Sequence, residues 1–382
     1  MTEIHGTSSD RFASVRDAMA QNFDNGSDVG ASVAVTLDGE LVVDLWGGHA
    51  DEACTTAWEE DTITNVWSTT KTMTALCALM LADRGEIDLH APVARYWPEF
   101  AAAGKGAVEV RHLLGHTSGL SGWQEPVTVE TLCDWERATS LLAAQEPWWE
   151  PGSASGYHAF TQGYLVGEVI RRVTGRTVGQ FFAAEVAGPL GADFHIGLDP
   201  SNFGRVANVI PPPPLPVAGL DPTSVAVRTF VSAPLDATVA WTEAWRRAEI
   251  PAANGHGNAR SVAIAQSVLA CGGEVGGRRF LSAEGCEAVF EQQAYGTDLV
   301  LGIPLRFGMG YGLSSAELPM GTGERVCFWG GWGGSLIVAD LDARMTVAYV
   351  MNRMGEGTVG DARGAGIVMA AYASLANQPA VA

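Results

Sequence analysis

Ser68-Thr69-Thr70-Lys71 carries a hydroxyl and an amine at a spacing that puts them on one face of a helix. A serine hydroxyl is a weak nucleophile until a neighbouring group takes its proton. A lysine can be that group when burial lowers its pKa, whereas an arginine stays charged at any working pH. Lysine is a pointed choice in this chain: Lys71 is one of two lysines, with Lys105, and arginine supplies the remaining positive charge. The pattern at a helix start is therefore a candidate activated nucleophile. The competing reading is a serine N-cap in a short motif that arises by chance.

Other residues could complete such chemistry. Tyr157 lies in Pro151-Gly152-Ser153-Ala154-Ser155-Gly156-Tyr157-His158. Beside an ammonium its phenol is drawn toward phenolate, a usable general base; alone it reads as a ring packed at a helix start. Trp329-Gly330-Gly331-Trp332 closes a predicted strand. Its glycines read as a turn, or as bare backbone that lets a substrate approach an edge strand. The Trp332 N–H could join that of Ser68 in an oxyanion hole. His158, with His112 and His116, would have to supply the base of a Ser-His-Asp enzyme. No G-x-S-x-G elbow accompanies them, so they read as structural hydrogen-bonders or pocket lining. Trp123, Trp135, Trp148, Trp149 and Trp332 could line an aromatic pocket, core packing being the commoner role. No H-E-x-x-H, clustered metal-ligand spacing or G-x-x-x-x-G-K-[ST] loop occurs, so no metal and no cofactor is expected.

The elements that must hold these residues are legible in part. Met73, Leu76, Cys77 and Met80 form an apolar stripe of a helix ending near Gly85, with Ser68 and Lys71 in its first turn, at the positive end of its dipole. Arg11 to Phe23 reads as a helix. Ala31–Thr36 and Leu41–Trp46 read as a hairpin about Asp38-Gly39. From Glu86 to Glu249 the text is mostly helical, with a helix over Phe160–Val173 and a stiff, exposed loop at Pro211-Pro212-Pro213-Pro214. A helix over Asn258–Ala270 follows, then strands Arg325–Trp329, Ser335–Ala339 and Met345–Met351, then a helix over Ala362–Leu375. The expected fold is α/β of the α+β type. Residues 1–85 and 250–382 would form an antiparallel sheet flanked by helices, and residues 86–249 a mainly helical lobe carrying Tyr157. A site between the two is the usual arrangement.

The bulk properties exclude other classes. The 382 residues carry a net charge of −20 and are 47% hydrophobic. Such acidity opposes nucleic acid and anionic membrane surfaces. No apolar run is long enough to span a membrane, and Met1 to Asp10 carries no apolar signal core. Six scattered cysteines fit free thiols in a reducing cytoplasm, so a cytoplasmic location is expected. The expected partner is a small-molecule substrate; oligomeric state is not encoded in any pattern.

Taken in order, these segments resemble the serine β-lactamase and penicillin-binding-protein superfamily, most of all the family VIII carboxylesterases of its class C-like branch. The resemblance covers roughly residues 12 to 376. Ser68-Thr69-Thr70-Lys71 matches the nucleophile motif, and His112 to Leu120 a recurrent H-L-L-x-H-T-S-G-L segment. Tyr157 matches the tyrosine of the second motif. Asn254-Gly255-His256-Gly257 with Ala259-Arg260, and Tyr349 to Met354, resemble other recurrent segments. Trp329-Gly330-Gly331 stands at the third motif, which is Lys-Thr-Gly in β-lactamases. Two departures matter: Ala159 replaces the asparagine of Tyr-x-Asn, and Trp329 replaces the cationic lysine. The resemblance implies a β-lactamase/DD-peptidase-like fold and a Ser68–Lys71–Tyr157 centre working through an acyl-Ser68. Substrate contacts are expected at Trp329, Gly330, Gly331, Trp123 and His158. Hydrolysis of short-chain carboxylic esters is expected, short because bulky aromatics crowd the motifs. The alternatives are β-lactam or amide hydrolysis, acyl transfer to an alcohol, and a non-catalytic binding role.

Overall fold

The computed structural model describes residues 2–212 and 221–376. Its main sheet has nine strands among the described residues. From edge to edge they run Ile4–Ser8, Glu40–Gly48, Gly30–Leu37, Met345–Met351, Leu336–Asp340, Val326–Gly330, Gly312–Leu313, Pro304–Phe307 and Ala294–Thr297, every neighbouring pair antiparallel. The two ends of the chain meet at its centre, with Met345 opposite Leu37 and Met351 opposite Ala31. The hairpin turn at Asp38 and Gly39 takes φ of 53° and 85°, as a tight turn between right-twisted strands demands.

Both faces of the central strands are covered, which is why Gly30–Leu37 and Met345–Met351 read as unbroken small and β-branched runs. On one face Thr346 hydrogen-bonds Thr36 at 2.6 Å and donates to the Ala263 carbonyl of the helix Ala259–Ala270. On the other face Tyr349 meets the helix Ala362–Ala376 at Gly364. That helix packs with Ala13–Asp24. The expected central elements are present, within a residue or two at each end. The sequence reading omitted Ile4–Ser8 and the three short strands between Ala294 and Leu313. These are edge or near-edge pieces of two to five residues, and their apolar alternation is too short to register.

The helix Thr70–Asp83 lies within the core. Every residue from Thr70 to Leu81 is buried, not only the Met73–Met80 stripe. A helix buried all round needs apolar or small residues on all its faces, and Thr70, Thr72 and Thr74 satisfy their hydroxyls on the backbone oxygens of Trp67, Thr69 and Pro251. Gly85, at φ 72°, follows its end. The helix Thr161–Thr174 packs against it and stops at Gly175, φ 70°.

Among the described residues from 86 to 249, Val206–Ala207 is the one strand. It pairs with Ile63–Asn65, which also pairs with His256–Gly257. This small sheet brings the segment before Ser68 beside Asn254. Pro211 and Pro212 are half-buried rather than exposed; Pro213 and Pro214 lie outside the described residues. All six cysteines are free thiols. Among the described residues no helix is long and apolar enough to cross a membrane.

Candidate active site

Ser68 stands on a strained turn, not in the first turn of the helix as its sequence suggests. The helix begins at Thr70, and Trp67 takes φ 49°, a conformation rare for a bulky residue. Such strain persists only where the surroundings over-determine it. Here the Trp67 ring packs between Trp245 and Trp332, with centroids 5.7 and 4.9 Å away. Val66 N–H donates to the Gly255 carbonyl at 2.9 Å, and Thr70 Oγ1 accepts from Gly255 N–H at 2.8 Å while donating to the Trp67 carbonyl at 2.6 Å.

Lys71 projects from the first helical turn into the interior and is 1% exposed. Its Nζ lies 3.1 Å from Ser68 Oγ, 2.7 Å from the Ala159 carbonyl and 2.9 Å from the Ala252 carbonyl. Burial holds its pKa well below the usual lysine range. Nζ donates in all three contacts, to the Ala159 and Ala252 carbonyls and to Ser68 Oγ, and no carboxylate is among these partners. The Ala252 carbonyl is held by Asn254, whose side chain donates to Trp245 and Ala248 carbonyls and accepts from Ile250 N–H.

Tyr157 reaches the same hydroxyl from the other side, its O–H donating to Ser68 Oγ at 2.5 Å. Its backbone N–H is anchored on Asp298 Oδ1 at 3.0 Å, and that oxygen also accepts from Val300 and Leu301. Burial raises the Tyr157 pKa, and the Asp298 charge adds to the rise. This runs against the expected phenolate: desolvation disfavours the charged form of the buried ring. The three residues thus form one chain of hydrogen bonds, Tyr157 to Ser68 to Lys71.

The backbone N–H groups of Ser68 and Trp332 find no acceptor among the described residues. Gly331, the residue before Trp332, packs against the segment before Ser68. A Cβ on Gly331 would sit 2.3 Å from the Val66 carbonyl oxygen and 3.3 Å from the Ser68 nitrogen. Two free N–H groups beside a nucleophile are what a developing oxyanion requires.

The remaining expected substrate contacts fall elsewhere. Val326–Gly330 is an inner strand, not an edge. The room beside Gly330 is filled by Val359 and Gly360 backbone, and that beside Gly331 by Val66 and Ser335. These glycines admit protein, not substrate. Trp329 is buried behind Tyr157, packed against Phe307 and His116. Trp123 is a core residue whose indole donates to the Ala138 carbonyl. His158 is fully buried; Ser118 Oγ and the Gly156 carbonyl occupy its ring nitrogens at 2.7 and 2.6 Å, and desolvation pushes its pKa down to about 3. His116 accepts from His158 N–H, and His112 completes a helix capping box, so neither reaches Ser68.

Ser68 opens instead into a cleft of about 420 Å³ walled by Trp67, Tyr157, Ala159, Phe160, Trp332 and Ala253, with Pro211, Pro212, Phe230 and Leu235 farther around it. Asp236 is the one carboxylate on the wall, and no lysine or arginine lines it among the described residues. Sequence reasoning missed Trp67, Phe160, Phe230, Leu235, Asp236, Asp298 and the Ala252 carbonyl. The apolar wall residues look like core in a sequence, and a carbonyl leaves no side-chain signal.

A match to the family model described as beta-lactamase extends over residues 16–371. The chain belongs to the beta-lactamase family. It is 36% identical to the Esterase/beta-lactamase LipL of Mycobacterium tuberculosis, an alignment covering 92% of this chain and 83% of that protein. The crystal structure of a family VIII carboxylesterase superposes with a TM-score of 0.92 at 43% identity, over 97% of this chain and 100% of the other. A penicillin-binding protein homolog from Caulobacter crescentus superposes equally well, TM-score 0.92 at 40% identity, over 98% and 100%. The fold is therefore β-lactamase/penicillin-binding-protein-like, and the chain is an esterase/β-lactamase-like serine hydrolase by family.

Proposed function

We propose that this protein is a carboxylesterase that hydrolyses short-chain, uncharged carboxylic esters through an acyl-Ser68 intermediate. The observation that carries the reading is that Tyr157 O–H and Lys71 Nζ both reach Ser68 Oγ, the lysine lying where burial disfavours its charged form. Lys71 takes the Ser68 proton and becomes an ammonium as Oγ attacks the ester carbonyl. The oxyanion is held by the N–H groups of Ser68 and Trp332. Collapse expels the alkoxide, which takes the Tyr157 proton and leaves as alcohol. The resulting phenolate lies beside the new ammonium; the Lys71 Nζ is 4.8 Å from the ring centroid. Water gives the phenolate a proton and attacks the acyl carbon as hydroxide. The second collapse releases the carboxylic acid, and Lys71 returns the proton to Ser68. Every group ends as it began.

The cleft supports the choice of substrate. Its walls are aromatic and aliphatic, and among the described residues its one carboxylate is unopposed by a cation, so an anionic substrate would lose its hydration without gaining a partner. The rings of Trp67, Tyr157, Phe160 and Trp332 bound the space beside Ser68 and suit a short acyl group. A panel of p-nitrophenyl esters from acetate to dodecanoate tests this, with Ser68→Ala alongside. Activity should peak at the short esters. Ser68→Ala should fold normally and keep less than about a hundredth of the turnover, as losing a nucleophile costs orders of magnitude. More residual activity than that would remove Ser68 from the role; a peak at octanoate or beyond would overturn only the chain length.

A further inference from the structure

The turn that presents the Trp332 amide is fixed from behind by a buried arginine. Gly333 and Gly334 take φ of 94° and 127°, in the left-handed region. Arg363 Nη2 donates to the Gly333 carbonyl at 2.6 Å, and Gly355 N–H donates to the same oxygen at 2.7 Å. The Gly333 N–H in turn donates to the Gly357 carbonyl at 2.8 Å. A Cβ on Gly334 would lie 2.5 Å from Arg363 Nη2, so the turn and the guanidinium are in close contact.

The arginine is itself held on every side. Its side chain is 10% exposed. Nη1 donates to Asp28 Oδ1 at 2.9 Å, to the Arg353 carbonyl at 2.8 Å and to the Ser27 carbonyl at 3.1 Å. Nη2 also donates to Asp361 Oδ2 at 2.6 Å. Asp28 is fixed by the Tyr349 O–H at 2.6 Å. A planar guanidinium can bind acceptors in several fixed directions at once, which a lysine ammonium on a flexible stem cannot. Burying this charge costs solvation, and one of its contacts ends on the residue that follows the proposed oxyanion donor.

We infer that Arg363 is a positioning residue for the oxyanion hole: by holding the Gly333 carbonyl it keeps the Trp332 N–H aimed at the oxygen of the acyl group on Ser68. The inference rests on the reading of Ser68 as nucleophile and Trp332 N–H as oxyanion donor. Acylation and deacylation both pass through that oxyanion. Loosening the turn therefore slows both steps together, which lowers kcat and leaves KM nearly unchanged. A defect confined to folding would lower the fraction of active enzyme but not the affinity of the molecules that remain.

The test compares wild type, Arg363→Lys and Tyr349→Phe in p-nitrophenyl butyrate hydrolysis and in inhibition by butylboronic acid, whose tetrahedral serine adduct places an oxygen in the hole. Arg363→Lys keeps a cation between Asp28 and Asp361 but cannot span all the carbonyls. It should lower kcat about tenfold or more, short of the 10²–10³ that losing a whole donor costs. The boronate inhibition constant should rise by a similar factor, with KM steady. Tyr349→Phe loosens Asp28 without touching Gly333, and should lower the melting temperature while leaving kcat and the inhibition constant at wild-type values. If Arg363→Lys does not fold, Asp361→Asn takes its place, because it weakens the second hold on the Nη2 that binds the Gly333 carbonyl while keeping the Asp28 ion pair. Unchanged kcat and boronate affinity in the folded variant would overturn the inference, as would an equal loss in Tyr349→Phe. A wild type that neither hydrolyses the ester nor binds the boronate would remove the nucleophile reading itself, and the inference with it.

Discussion

Lys71 Nζ sits 3.1 Å from Ser68 Oγ, and its other two partners are main-chain carbonyls, both uncharged. A lysine used for structure is usually given a carboxylate or left at the surface. Lys105, the second lysine, shows the alternative within this same chain: it is buried against the carbonyls of Ala102 and Ala143, with no hydroxyl to activate. The difference between the two is the serine.

Lys71→Arg should lose activity nearly as completely as Lys71→Ala, by about 10²-fold or more in kcat, because a guanidinium cannot accept the Ser68 proton. Near-normal turnover in the arginine variant would mean that position 71 supplies only a fixed positive charge.

Lys71→Met should be inactive yet more stable than wild type at neutral pH. The sign follows from linkage. Burial lowers the folded-state pKa below the unfolded value, so between the two the unfolded chain binds the extra proton. Wild-type stability therefore rises with pH through that window and is complete above the unfolded lysine pKa. Methionine has no such dependence. Denaturation midpoints measured from pH 6 upward should show the gap between the two proteins narrowing as pH rises. Lys105 is present in both and cancels. A gap independent of pH would mean that Lys71 is charged in the folded enzyme.

Tyr157→Phe should lower kcat by roughly 10²-fold, the scale of lost acid–base assistance, with little change in melting temperature. His158→Ala should do the reverse. It removes a fully buried ring that bridges Ser118 and Gly156, so stability falls while the folded enzyme keeps most of its turnover. The opposite ranking in kcat would favour a Ser-His enzyme.

Gly331→Ala should impair catalysis although glycine there has an ordinary backbone conformation. The added methyl would press on the Val66 carbonyl and Ser335 Oγ, at 2.3 and 2.4 Å, and must push the Trp332 amide away from Ser68. The expected result is a fall in kcat of about tenfold or more, the loss of a well-aimed oxyanion donor. Wild-type kcat in this variant would remove Trp332 from the hole.

Short p-nitrophenyl esters should be turned over far faster than nitrocefin. Among the described residues the cleft offers no cation for the nitrocefin carboxylate, Asp236 repels it, and Ala159 has no amide for its acylamino group. Comparing kcat/KM for p-nitrophenyl acetate, p-nitrophenyl butyrate and nitrocefin measures this directly. Parity between nitrocefin and the esters would mean a β-lactamase.

Much of this protein is local and was therefore readable from the chain. The i, i+3 spacing of Ser68 and Lys71 brings their side chains to one face, since the turn at Ser68, closed by Lys71 N–H on the Ser68 carbonyl at 3.0 Å, runs on into the helix. The Asp38-Gly39 hairpin, the stop at Gly175 and the long buried runs of the central strands are set by φ preferences and by burial on both faces. What only the tertiary structure decided is everything that depends on distant segments arriving at one place. Lys71 is buried beside Ser68 because the Ala159 and Ala252 carbonyls, from two other segments, meet its amine there. The Tyr157 pKa is raised because the folded chain buries its ring. Trp329, Trp123 and His158 are polar-tipped residues near the motifs in sequence, yet their rings face the interior, and the cleft wall is made by Trp67, Phe160, Phe230 and Leu235. An apolar side chain carries the same signal whether it ends in a core or at a substrate, because the physics that buries it is the same; only the packing of the whole chain leaves some of those surfaces uncovered.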